Sequence, residues 1–291
     1  MNARNFMLVI MLASCFFRLC GQDTARRRFM HHNLYQVSLQ VGNCVEQTPA
    51  IGITEFKAMA PGSVLLEKIH SEYVSYRIGL HSKRMTSVML GMCIPHRKEA
   101  PAKYNMVIRL GITRFSGLNM SNYYVWRDTT LATSSNQTAE TPYVDTLYGE
   151  DFFIQLMAKQ IRLDVSFIFE TNSASNINAS IGLGINGGIS NISFITISYN
   201  RGNAVYVPSI TGGYTYYDHI NNEWEMVRTK RHTGYAVYIP IRIEFRLGKK
   251  KEIERNLHIF YESRLMVNTN VYPGLGTITR FNHQHGIGIR I

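Results

Sequence analysis

From Tyr235 to Leu247 every odd-numbered residue is apolar: Tyr235, Val237, Ile239, Ile241, Ile243, Phe245 and Leu247. The even positions between them hold Ala236, Tyr238, Pro240, Arg242, Glu244 and Arg246. A period of two, sustained this long, describes a strand with two different faces. The run exceeds the usual strand of about five or six residues and matches the roughly 9–11 that cross a bilayer at a tilt. One face suits lipid and the other a polar lumen, so Val237, Ile239, Ile241, Ile243 and Phe245 are expected to face lipid.

The same alternation recurs at Tyr35–Val41, Val74–Leu80, Val88–Ile94, Met106–Ile112, Ile161–Phe169, Ile177–Ile185, Leu257–Tyr261 and Ile287–Ile291. A soluble sandwich also alternates, but its polar face is the outer one. Here the polar set includes Arg77, Arg109, Arg162, Asp164, Arg242, Glu244, Arg246, Glu262, Arg264 and Arg290, with repeated glycine. Those ten residues are the expected lumen charge network, in which arginines bridge carboxylates across neighbouring strands. The fold class expected is all-β: an antiparallel transmembrane barrel of about ten strands, with eight or twelve as alternatives, and long external loops. Residues 116–148 and 200–232 are expected as those loops. The segments at Pro95–Ala100, Thr171–Ser175 and Gly248–Glu252 are expected as short turns on the periplasmic side. A change of apolar parity near Ala158-Lys-Gln160 predicts a β-bulge or turn. Pro240 cannot donate to a ladder and calls for a bulge, an edge or a strand end. Residues 43–70 read as one strand or two short ones.

A chain of 291 residues with 45% apolar content admits a single large β domain. After the N-terminus no stretch runs about 18 apolar residues without a charge, which excludes helical spans there. The formal charge is +11, but the basic residues sit singly in strands. Anionic headgroups or lipopolysaccharide are therefore the expected contacts, and nucleic acid is not. Residues 1–21 read as a signal peptide, with Arg4, an apolar core from Phe6 to Phe17 and a small-residue exit. Leu12-Ala-Ser-Cys15 also has the form of a lipoprotein box. Residues 22–33 follow as a periplasmic segment, and 34–291 as the barrel. Cys44 and Cys93 remain in the mature chain, either paired or free.

The exported start ending Gly21-Gln22, the Gly182-Leu-Gly184 step, the Tyr238-Ile-Pro-Ile241 strand and Pro240 followed by Lys249–Lys251 resemble the small outer-membrane β-barrels of Bacteroidota, the PorT-like group among them. The resemblance covers nearly the whole mature chain and is architectural. It implies location in a bacterial outer membrane and a role in anchoring, secretion or surface assembly with an envelope protein partner. It carries over no catalytic residues. Ile291 departs from the aromatic residue with which many such barrels end.

No catalytic, cofactor-binding or metal site is expected, and no cofactor. His283-Gln-His285 places two imidazoles on one strand face without a third ligand. His31-His32 lies beside Arg26–Arg28 in a solvated approach. Asp218-His219, with Glu223 and Glu225 nearby, is the material for the alternative reading, an outer-membrane protease or lipid deacylase. No Gly-x-Ser-x-Gly elbow or phosphate loop occurs. Asn119-Met-Ser121 and three similar triplets match a glycosylation acceptor by chance. The aromatics Tyr123, Tyr124, Trp126, Tyr214, Tyr216, Tyr217 and Trp224 read as a girdle at a membrane edge, or as a glycan platform. A soluble exported binding barrel or sandwich is the third reading.

Overall fold

A computed structural model describes residues 36–47, 51–70, 72–77, 80–94, 104–132, 144–171, 176–206, 216–247 and 257–291. The leader, residues 22–33, His31-His32, most of each short turn and the centres of the two long connections lie outside the described residues. Ten strands form one antiparallel sheet: β1 (Gln36–Gln47), β2 (Val74–Arg77), β3 (Leu80–Ile94), β4 (Tyr104–Ala132), β5 (Val144–Thr171), β6 (Ile177–Tyr206), β7 (Tyr216–Arg228), β8 (Thr233–Arg246), β9 (His258–Tyr272) and β10 (Gly276–Arg290). Hydrogen bonds close a ring through eight of them, in the order β1, β3, β4, β5, β6, β8, β9, β10 and back to β1.

The expected count of about ten strands and the ring of eight are reconciled by interrupted staves. Along β4, β3 pairs as far as Gly117, and β2 takes over at Asn122–Val125. Along β6, β8 pairs from Ile177 to Ile189 and β7 from Phe194 to Val205. Thus β2 with β3, and β7 with β8, each make one broken stave. An even number of staves brings Gln36 and Ile291 to the same end, where Val37 and Ile291 exchange backbone hydrogen bonds of 2.8 and 2.9 Å.

The wall is taller on one side. β4, β5 and β6 run on beyond the level at which β1, β9 and β10 stop, so the spans 116–148 and 200–232 are largely strand rather than loop. Residues 43–70 finish β1 and then form two short helices, α1 (Ile53–Met59) and α2 (Val64–Glu67). Glu55 in the first turn and Lys57 in the last suit the dipole of α1. Ser63 caps α2 by accepting from Leu66 N at 3.1 Å. Phe56, Met59, Leu65 and Leu66 pack onto the inner face of the tall wall, against Phe152, Ile154, Leu156, Ile195 and Ile197. The two helices therefore sit over one mouth of the ring.

The parity change near Ala158–Gln160 has a different cause from the one expected. In β5 every even residue from Phe152 to Glu170 is buried, without a break. What changes is the chemistry of the faces. Above Ala158 the inner residues are Phe152, Ile154 and Leu156, and the outer ones include Asp151 and Gln155. Below it the inner residues are Gln160, Arg162, Asp164 and Ser166, and the outer ones Ile161, Leu163, Val165, Phe167 and Phe169. The extra residues lie in the neighbouring strands: Asn119 in β4 opposite Met157/Leu156, and Asn191 in β6 opposite Lys159/Gln160. Pro240 sits in mid-strand at neither a bulge nor an edge. It is accommodated by a lapse of the β6–β8 ladder between Ile181↔Ile241 and Gly184↔Tyr238, with the register unchanged across it.

Candidate functional site: the interior of the ring

Parity dictates which side chains enter the ring, because each strand sends alternate residues inward. The inward set is charged, and a charge removed from water must be paired. Glu262 of β9 lies at the centre of the lower network. Its Oε2 accepts from Arg109 Nη1 at 2.7 Å and from Arg242 Nε at 2.8 Å, and its Oε1 accepts from Arg264 Nε at 2.6 Å. Arg264 also donates through Nη1 to Asp164 Oδ2 at 2.8 Å, while Asp164 accepts from Tyr238 OH and from Thr113 Oγ1. At the end nearer the termini, Arg290 reaches Glu244 at 2.6 Å and Glu170 at 3.1 Å, and His258 Nδ1 lies 2.8 Å from Glu244. Four guanidiniums and four carboxylates meet here, so this half of the interior is balanced without counting His258.

Nearer the helices the balance shifts. Lys83 of β3 and Arg280 of β10 share Glu46 of β1, at 2.5 and 3.0 Å. Among the described residues the hydrogen bonds of Arg162 go to amide oxygens, those of Gln160, Asn186, Asn268 and Asn270, at 2.8 to 3.2 Å, and its guanidinium lies 5.1 Å from the Phe115 ring centroid. Guanidinium planes also lie on rings, Arg242 on Phe260 at 3.8 Å and Arg264 on Tyr238 at 4.8 Å. Room for those rings comes from glycine. Gly184 is the register partner of Tyr238 and Gly288 of Phe260, and a Cβ on either would overlap the ring opposite. That close approach is the structural use of the Gly182-Leu-Gly184 step.

Of the ten charged residues expected in the lumen, Arg109, Arg162, Asp164, Arg242, Glu244, Glu262, Arg264 and Arg290 are buried in this interior. Arg246 is half-buried at the strand end, and the side chain of Arg77 lies outside the described residues. Sequence reading missed Glu46, Lys83, Glu170, His258 and Arg280. Each shares parity with inward neighbours, and the signal was available: Arg280 leads the set Asn282, Gln284 and Arg290 in β10. Val237, Ile239, Ile241, Ile243 and Phe245 all point outward, 41 to 56% exposed.

The other candidates are placed as follows. Cys44 and Cys93 are free thiols. His283 and His285 sit side by side on the outer face, with centroids 5.5 Å apart, and His283 Nε2 meets Ser263 Oγ at 2.8 Å. Among the described residues no group of three or more His, Cys, Asp or Glu could hold a metal. The side chains of Asp218 and His219 lie outside the described residues. Glu223 and Glu225 face inward and hold the helical segment: Lys68 Nζ meets Glu223 at 2.8 Å, and Glu225 accepts from Ser63 Oγ, Val64 N and Leu65 N at 2.7, 3.2 and 3.0 Å. Partial burial raises the Glu225 carboxyl, but the donors from Leu65, Ser63 and Val64 outweigh it and leave the group below the ordinary carboxylate range.

No family model and no curated protein matches this chain. Among solved structures, a chain described as the high pH structure of Pseudomonas putida OprB is aligned over 92% of this chain and 96% of its own, at 7% identity. The TM-score of 0.13 is too low for that likeness to bear on fold or function.

Proposed function

We propose that this chain is an integral β-barrel of a bacterial outer membrane, non-enzymatic, anchored by the ring and presenting its tall wall and helical cover to the exterior. The observation that carries this reading is the two-faced ring: an outward belt of bare aliphatic and aromatic residues around an ion-paired interior. From Tyr235 to Leu247, at about 3.3 Å per residue and a tilt of about 40°, the belt rises roughly 30 Å, the thickness of a bilayer's hydrocarbon core. A water-soluble barrel exposing Leu163, Leu183, Ile185, Val237 and Ile287 would carry a far larger apolar patch than soluble monomers tolerate. Among the described residues no helix is long and apolar enough to cross a membrane.

An eight-stave ring has an interior just wide enough for side chains to fill. Its carboxylates are committed to arginines, which favours a structural or accessory role over catalysis and over general diffusion. The partners proposed are outer-membrane lipid and, through the exposed wall, another envelope protein. Purification in mild detergent followed by gel migration with and without boiling tests the reading. A faster-running unboiled band is the expected result. A protein that stays soluble without detergent and shows no such shift overturns it.

A further inference from the structure

Three cations on the outer face are left out of every network described above. Arg84 of β3, Arg114 of β4 and Lys159 of β5 alternate with the buried residues Lys83, Met85, Thr113, Phe115, Ala158 and Gln160, and so point outward. The register makes them neighbours. Arg84 pairs with Ser116 and Arg114 with Thr86, so the two arginines are diagonal across β3–β4. Ser116 pairs with Lys159 and Arg114 with Ile161, so Arg114 and Lys159 are diagonal across β4–β5. Diagonal neighbours stand about 7–8 Å apart, and Arg84 is two strands from Lys159, about 10 Å.

Their surroundings hold no counter-charge. The outward residues around them are Asn43, Val41 and Val45 on the β1 side of Arg84, then Thr86, Ser116, Leu118, Met157, Ile161 and Ile192, and on β1, β3, β4 and β5 the first outward carboxylate among the described side chains is Asp151, well up β5. Immediately below the triad the belt begins, with Ile112, Ile161 and Leu163 exposed. Above it, one cross-strand row runs Tyr76, Tyr123, Phe153, Ser198 and Trp224 over five strands. The order along the outer face is thus acyl-compatible, then cationic, then aromatic.

We propose that Arg84, Arg114 and Lys159 bind the phosphate groups of an outer-leaflet glycolipid. This rests on the membrane reading above. The triad lies at the end opposite both ends of the described chain, at the tall-wall side that this reading places in the outer leaflet. Three unpaired cations within about 10 Å suit a headgroup with more than one phosphate, and arginine binds phosphate bidentately. A phosphate carried on acyl chains meets the belt below, whereas free phosphate gains nothing from it. Sugar rings beyond the phosphates meet the faces of Tyr76, Tyr123, Phe153 and Trp224.

The test uses full-length protein in zwitterionic detergent and follows the midpoint of heat modification against added lipid. The probes are a diglucosamine glycolipid carrying two phosphates, its dephosphorylated form, and phosphatidylglycerol. The phosphorylated glycolipid should raise the midpoint and the other two should not match it. The triple variant Arg84→Gln/Arg114→Gln/Lys159→Gln should keep its lipid-free midpoint and bind about a hundredfold more weakly. The milder Arg84→Lys/Arg114→Lys variant, which keeps the charge but loses the bidentate contact, should bind more weakly than wild type and more tightly than the triple variant. Equal response to the dephosphorylated form or to phosphatidylglycerol, or undiminished binding by the triple variant, overturns the proposal alone, provided the protein still shows the heat shift. A wild-type protein soluble without detergent overturns the bilayer reading and this one with it.

Discussion

Glu262 receives three guanidiniums in a space closed to water, with Arg109, Arg242 and Arg264 all within 2.8 Å. Removing one partner of a buried pair leaves uncompensated charge, a loss of about 3–5 kcal/mol. Glu262→Gln is therefore expected to lower stability by about that amount, read as the urea midpoint in detergent. Among the described residues the hydrogen bonds of Arg109 go to Glu262 and Ser166, so adding Arg109→Met should recover part of the loss. A sterically driven counterpart lies at Gly184. Valine there overlaps the Tyr238 ring, and overpacking of this kind costs about 1–3 kcal/mol. The same urea midpoint checks it, and Gly187→Val, whose Cβ meets nothing closer than 3.8 Å, is the tolerated control.

α2 is too short to stand alone, since helices under about 12–15 residues are marginal even in favourable sequences. It is held by burying Leu65 and Leu66 and by Glu225, which reaches across from β7 to its first turn. Glu225→Gln should loosen the helical cover by about 1 kcal/mol, the size of a lost cap. The pH dependence follows from the direction of the shift. Glu225 is lowered in the folded state, so its contribution is complete above the ordinary carboxylate range and is lost as pH falls through the lowered value. Trp224, exposed beside it, reports the change. Its fluorescence should show a transition on the acid side of the ordinary carboxylate range in the wild type, and that transition should vanish in Glu225→Gln.

Across the whole molecule the two faces of the ring set the behaviour. Ile241 lies near the middle of the outward run of β8, and an arginine there should cost about 2–4 kcal/mol at a bilayer midplane. Impaired assembly and a lower heat-shift midpoint for Ile241→Arg are the expected outcome, whereas a water-exposed strand would accept the change. The ion-paired interior predicts no large steady conductance. Planar-bilayer recordings of purified protein check this, and wide, weakly selective openings would show an unfilled lumen.

The amino-acid order alone determined that β8 has one aliphatic face and one charged face, and parity assigned Arg109, Asp164, Glu262 and Arg264 to a single side. That much is local, because a period of two is built into the strand backbone. The tall wall was not legible. A strand whose inner residues change from Gln160 and Arg162 to Phe152 and Ile154 looks, in sequence, like a slipped register. The pattern says only that two faces differ, and which one is inside depends on what the rest of the chain places there. α1 and α2 supply the answer by covering the upper inner face with Phe56 and Leu66. The closure at eight staves was equally hidden. Whether β2 and β3, or β7 and β8, act as one stave or two is decided by pairing to β4 and β6, partners far away in the chain. Pairing across such separations is a tertiary property, and so are the meeting of three arginines on Glu262 and the triad formed by Arg84, Arg114 and Lys159.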